Sequence, residues 1–227
     1  MDSHIVSVFE MHKGDSIKHQ GLRSKLVSEI QRKGISDERI LSAIGIVPRH
    51  LFMDSSFIKF AYRDSAFPIG SGQTISQPYT VAIQTQLLEA EEGMKVLEVG
   101  TGSGYQCAVL LEMGLRVFSI ERIRSLHLEA QMRLGNLGYS AHFLYGDGFE
   151  GNSSYGPYDR ILVTAGAPHI PEKLKMQLKI GGILVVPVGG SGHQEMIKCV
   201  RVGQDDFETT SHGGFVFVPL LKGKKDT

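Results

Sequence analysis

Val96-Leu97-Glu98-Val99-Gly100-Thr101-Gly102-Ser103-Gly104 decides how this chain is read. The apolar run Lys95 to Val99 ends in a glycine turn, Gly100 to Gly104, and a helical pattern from Tyr105 to Met113 follows at once. A short apolar run closed by glycine and followed by a helix is a strand–turn–helix unit. The alternation continues downstream. Arg116 to Ile120 reads as a second strand, and Arg124 to Leu137 as a helix with Leu126, Ala130 and Leu134 on one face. His142 to Tyr145 reads as a third strand and Ile161 to Ala165 as a fourth. Pro171 opens a helix from its first turn, and Ile183 to Val188 is a fifth strand after Gly181-Gly182. Met196 to Val202 and Phe215 to Leu220 read as a closing antiparallel pair. Upstream, Gly21 to Lys33 is helical and Gly34 ends it. A second helix, with Ser36 as N-cap and Ile40, Leu41 and Ile44 inward, stops at Pro48. Phe60 to Pro78 reads as a loop and Tyr79 to Glu89 as a helix. The expected fold class is α/β: a doubly wound, mostly parallel sheet of Rossmann-like type, with a helical N-terminal cap and antiparallel C-terminal strands.

The 227 residues suit one large domain or two small ones, and 41% hydrophobic residues provide for a full core, which excludes a disordered chain. The 24 basic residues equal the 24 acidic ones, so no global field attracts a polyanion, and no nucleic-acid partner is expected. Cys107 and Cys199 lie far apart, outside any C-x-x-C pair, and read as two buried thiols in a reducing compartment. The nine histidines show no metal spacing, so no metal site is expected. No apolar run reaches the roughly 18 residues of a membrane helix. Met1 to Lys13 lacks the pattern of a secretory signal. The expectation is a soluble cytoplasmic protein without a membrane partner.

In open α/β sheets ligands bind outside the carboxyl ends of the strands. Gly100, Gly102 and Gly104 let the backbone approach a ligand closely, and the helix beyond offers its free N–H groups. Glu121 ends the second strand about twenty residues after the turn, where a carboxylate can accept two hydrogen bonds from a ribose diol. Read blandly, Glu121 is a surface acid paired with Arg122 or Arg124. Asp147, in Gly146-Asp147-Gly148 after the third strand, can reach an adenine amine or simply mark a turn. The G-x-G-x-G spacing does not meet the dinucleotide fingerprint G-x-G-x-x-G, which disfavours a nicotinamide oxidoreductase.

With Glu121 and Asp147-Gly148, the glycine-turn segment resembles class I S-adenosylmethionine-dependent methyltransferases. Further segments resemble the protein-L-isoaspartate O-methyltransferase family: Val47-Pro48-Arg49-His50-Leu51-Phe52, Tyr62-Arg63-Asp64, and Gly72-Gln73-Thr74-Ile75-Ser76-Gln77-Pro78-Tyr79. So do Tyr158-Asp159-Arg160-Ile161 to Pro168, Leu178 to Gly182, and Phe217-Val218-Pro219-Leu220. The likeness runs from about Leu22 to Leu221, with His50 standing where that family commonly has Glu. The resemblance implies an N-terminal extension over residues 1–18 and a single methyltransferase domain over 19–227, working as a monomer.

It also implies methyl transfer from S-adenosylmethionine, leaving S-adenosylhomocysteine, to the free carboxylate of L-isoaspartyl residues in damaged proteins and peptides. The ester then closes to a succinimide, which starts repair. Such an acceptor is already ionised at neutral pH, so no general base is required. A hydroxyl is a suitable moderate donor to it, and Ser76 is the implied catalytic residue, although it also suits capping of the helix beyond Pro78. Thr74, Ile75 and Gln77 belong to the loop over the methyl donor. Glu98 orders the glycine loop or a water near the amino group of the cofactor, Gly100, Gly102 and Gly104 line methionine and ribose, Glu121 holds the ribose, and Asp147 and Gly148 border adenine. His169 could approach the pocket, and Lys222, Lys224 and Lys225 read as a solvated tail. Two alternatives remain from the residues alone: a methyltransferase of a small molecule or RNA, and a non-catalytic module that binds an adenosyl ligand.

Overall fold

The computed structural model describes residues 14–226. Helix α1 (Ile17–Arg32) begins behind Ser16, whose hydroxyl accepts the His19 N–H. It therefore starts inside the expected 1–18 extension, and Asp15 before it is already buried on Arg23. Residues 1–13 of that extension lie outside the described residues. Helix α2 (Glu38–Ile46) is capped by Asp37, which accepts the Arg39 N–H, rather than by Ser36. The Ser36 N–H is instead taken by the side-chain oxygen of Gln86. Single turns of 3-10 helix at Arg49–Phe52 and Ser55–Phe60 lead to strands β1 (Phe67–Gly70) and β2 (Gln73–Ile75). These form an antiparallel hairpin inside the expected loop. Ser71 and Gly72 between them both have positive φ, as a type I′ hairpin turn requires. Helix α3 (Pro78–Leu87) follows, with Pro78 in its first turn.

Strand β3 (Lys95–Val99), helix α4 (Tyr105–Glu112), strand β4 (Arg116–Glu121), helix α5 (Arg124–Asn136) and strand β5 (His142–Tyr145) form the first winding. Strand β6 (Tyr158–Val163), the short helix α6 (Glu172–Met176) and strand β7 (Leu178–Gly190) form the second. Pro171 is the N-cap of α6 rather than its first residue. Strands β8 (His193–Arg201) and β9 (Phe207–Phe215) complete the sheet, whose order is β5-β4-β3-β6-β7-β8-β9. The first five strands in that order are parallel, and β8 and β9 run antiparallel. The expected pair of 196–202 with 215–220 is corrected: β8 pairs with both β7 and β9, and residues beyond Phe215 leave the sheet. The β9 sequence Phe-Glu-Thr-Thr-Ser-His-Gly-Gly-Phe is exposed almost throughout, so it carries no alternation by which to find it.

Strand alternation divides the core between two faces. Val96, Val117, Leu162 and Val185 point to the face covered by α1–α4. Leu97, Phe118, Ile161 and Leu184 point to the face carrying Leu174 of α6. Cys107 and Cys199 are fully buried, free thiols. Among the described residues no helix is long and apolar enough to cross a membrane. From β3 the chain winds to β4 and β5 on one side and later to β6 and β7 on the other. The crevice at this switch, between the carboxyl ends of β3 and β6, is where an α/β sheet presents a ligand site.

Candidate active site

The glycine turn is shaped by close neighbours. At Gly100 (φ +98°) an added Cβ would lie 2.4 Å from Thr164 Oγ1, which donates to the Gly100 carbonyl at 2.7 Å. At Gly148 a Cβ would lie 2.5 Å from Val99 Cγ1. Gly102 donates its N–H to Glu121 Oε2 at 2.9 Å, and Ile123 donates to Glu121 Oε1 at 2.9 Å. Both oxygens of this buried carboxylate are thus fixed, and each keeps a second lone pair for a hydroxyl. The bland pairing of Glu121 with Arg122 or Arg124 is absent from the ion pairs of the described residues.

These groups line one concave cavity. Of the residues expected from sequence, Thr74, Ile75, Ser76, Gly100, Gly102, Glu121 and Gly148 line it. A second cavity lies beside it, lined by Gln77, Tyr79, Thr80 and the stretch 212–218. Thr74, Ser76, Thr164 and Val218 belong to both linings.

The remaining expected residues stand outside the first cavity. Gln77 lines only the second, and its amide donates to Asp64 Oδ2 at 3.0 Å. Gly104 packs under Leu134 of α5. Glu98 is fully buried and accepts the Ser119 hydroxyl at 2.5 Å. Ser119 is in turn 2.6 Å from the Thr101 hydroxyl, and Thr101 faces the cavity. Burial, and then the Glu121 charge, push the Glu98 carboxyl up to about 8, against the pull of the Ser119 hydrogen bond. Asp147 takes the Phe149 N–H on one oxygen at 2.9 Å and the Gly223 N–H on the other at 2.6 Å. Lys222, Lys224 and Lys225 are exposed, as expected of a solvated tail, but the backbone of that tail is tethered. Lys225 bridges Ile123, exchanging backbone hydrogen bonds with Arg122 and Arg124, while the Arg122 side chain donates to the Lys222 and Gly223 carbonyls. His169 lines neither cavity and lies beside the Phe149 ring.

Sequence reasoning missed Thr101, Tyr105, Thr164 and Val218–Leu221 in the first lining. The carboxyl end of β6 was the available signal for Thr164. Val218 to Leu220 belong to the expected strand 215–220, whereas Pro219 bridges to Gly166 across the strand ends. The fold also gathers Asp15, His19 and His50, whose potential ligand atoms lie within 4.8 Å of one another. Those lone pairs are largely engaged. Arg23 spans the Asp15 carboxylate at 2.9 and 3.1 Å, and the His50 ring nitrogens contact Tyr62 Oη at 2.7 Å and the Gly14 carbonyl at 3.2 Å.

Residues 21–225 match the profile of protein-L-isoaspartate(D-aspartate) O-methyltransferases (PCMT). The chain belongs to that family. A protein-L-isoaspartate O-methyltransferase from Cytophaga hutchinsonii is 57% identical over 207 residues, spanning 91% of this chain and 94% of its own length. A solved protein-L-isoaspartate O-methyltransferase superposes with a TM-score of 0.78 at 30% identity, over 87% of this chain and 65% of its own. A Plasmodium falciparum structure described as a putative protein-L-isoaspartate O-methyltransferase in complex with S-adenosyl-L-homocysteine shares the fold, with a TM-score of 0.76 at 22% identity over 88% of this chain and 98% of that one. The family depends on S-adenosylmethionine, and the first cavity fits such a group. It offers a concave lining without Cβ atoms at Gly100 and Gly148 and a carboxylate whose free lone pairs suit a diol.

Proposed function

We propose that this protein-L-isoaspartate methyltransferase methylates the free α-carboxylate of isoaspartyl residues with Ser76 as the hydroxyl that receives the acceptor. The observation that carries this reading is the shared wall of Thr74, Ser76, Thr164 and Val218 between the two cavities. The first cavity is lined by Glu121, a diol acceptor, and the second shares Ser76 with it. When bound, S-adenosylmethionine supplies an electrophilic methyl group. Glu121 would hold the ribose, and the glycine turn would bring backbone against the ligand.

An isoaspartyl carboxylate entering the second cavity meets hydroxyls at Thr74 and Ser76, with no lysine or arginine in that lining, while the Thr164 hydroxyl is spent on the Val99 and Gly100 carbonyls. A neutral donor orients the anion without holding it so tightly that attack becomes harder. No acid or base need move a proton in that step, because the acceptor arrives ionised. Two free, buried thiols suit the cytoplasm.

The test uses a labelled methyl donor with an isoaspartyl peptide and its normal aspartyl counterpart. The expected result is base-labile methyl ester, released as methanol, from the first peptide alone. Ser76→Ala should lower turnover at saturating peptide while the calorimetric Kd for S-adenosylhomocysteine stays unchanged. Wild-type turnover in that variant removes Ser76 from the mechanism.

A further inference from the structure

Two segments of the family resemblance, around Arg49 and around Asp64, lie outside both cavity linings. The structure joins them to Ser76. Asp64 has a side chain only 3% exposed, yet it makes three contacts. One oxygen accepts the backbone N–H of Tyr79 at 2.7 Å. The other accepts the Gln77 amide at 3.0 Å and the Lys33 ammonium at 2.5 Å.

The Tyr79 contact fills a vacancy at the amino end of α3. Gln77, the N-cap, makes no side-chain capping bond there, and Pro78 has no N–H to give. Asp64 thus acts as the cap from fifteen positions upstream, with its negative charge at the positive end of the helix. Its own loop is braced by Arg49, a fully buried side chain. Arg49 donates to the carbonyls of Ala61 at 3.1 Å and Ser65 at 3.3 Å, on either side of Asp64. The Arg49 guanidinium lies 4.8 Å from the centre of the Tyr105 ring, and Tyr105 lines the first cavity.

Ser76 is a one-residue link in this arrangement. Ile75 before it is anchored in the core at 2% exposure, and Gln77 after it is anchored on Asp64. We propose that Asp64 is the positioning residue for Ser76: its carboxylate clamps Gln77 and the amino end of α3, and so fixes the Ser76 hydroxyl between the two cavities. The proposal rests on the assignment of Ser76 above.

The experiment compares Asp64→Ala, Asp64→Asn, Lys33→Ala, Ser76→Ala and the double variant Ser76→Ala/Asp64→Ala. Turnover with saturating isoaspartyl peptide, the S-adenosylhomocysteine Kd by calorimetry, and Tm are measured for each. Asp64→Ala should lower kcat by about 10- to 100-fold, the range that misplacement of a reacting group by about 1 Å produces. Its cofactor-product Kd should be unchanged at temperatures well below its Tm. Asp64→Asn should recover part of the loss, because its side-chain oxygen can still accept from Tyr79. Lys33→Ala should keep wild-type kcat, since it removes only the outer ion pair. In the Ser76→Ala background the Asp64 change should lower kcat no further, the mark of two groups acting as one. A folded Asp64→Ala protein with full turnover overturns the proposal, as does a loss that multiplies with that of Ser76→Ala. Wild-type turnover in Ser76→Ala instead removes the assignment beneath it. If Asp64→Ala does not fold, Asp64→Asn and Gln77→Ala carry the same comparison.

Discussion

Glu98 and Glu121 lie near the carboxyl ends of neighbouring strands, and the fold treats their carboxyl groups in opposite ways. Glu121 is given two backbone N–H donors, which suit an anion with lone pairs turned to a ligand. Glu98 has only the Ser119 hydroxyl and the weak donor thiol of Cys107 as partners. Burial therefore favours its neutral form and raises it to about 8 from the 4.5 of a free side chain. The folded state then binds a proton that the unfolded chain has released. Stability from this group is full below about pH 4.5 and is lost as pH rises toward 8, at up to about 1.4 kcal/mol per pH unit. Glu98→Gln keeps an oxygen for Ser119 and cannot ionise. Urea denaturation at pH 6 and pH 8 should show the variant gaining on the wild type as pH rises. A constant difference between the two proteins would mean that Glu98 is ionised in the fold.

At the scale of elements, the helix after the glycine turn is docked by a missing side chain. Gly104 has φ +88°, and a Cβ there would sit 2.9 Å from Leu134 Cδ1, so α4 and α5 meet through this gap. Gly138 has a similar φ of +82° with nothing within 4 Å of a built Cβ, which isolates backbone strain from contact. Gly138→Ala should destabilise by about 1 kcal/mol, and Gly104→Ala by about 1–3 kcal/mol more, read from urea midpoints. Equal losses would show that Leu134 moves aside freely. The same elements explain what the sequence made legible. Strands β3 to β5 were found where they lie because they are compact runs between glycine or polar breaks. The β1–β2 hairpin was hidden by Pro68, Gly70 and Gly72, which read as loop although an edge ribbon accepts them. In the site, the turn and Glu121 were legible because one strand–turn–helix unit and the next strand end carry them. Thr164 and Val218–Leu221 come from distant segments with ordinary side chains, and only the fold brings them together. Asp147 looked like an adenine contact, and the structure adds the Gly223 tether, which no spacing rule announces.

Across the whole molecule, both cavities are closed by chain from far apart: the hairpin before α3, the strand ends of the sheet, and the stretch beyond β9. The helical cap is not an appendage to this arrangement. Arg49 beyond α2 braces the loop that carries Asp64, and Lys33 at the end of α1 adds only an outer ion pair to that carboxylate. The chain's two thiols, by contrast, take no part in either lining. Cys107 and Cys199 are both at 0% exposure, and burial raises both away from the reactive thiolate. The native enzyme is therefore a silent background for maleimide chemistry. A cysteine introduced at Val216, which is 74% exposed and lines the second cavity, should accept one fluorophore per chain while the unaltered protein accepts none. Mass spectrometry counts the labels, and the attached dye would then report each docking of a damaged polypeptide as it happens.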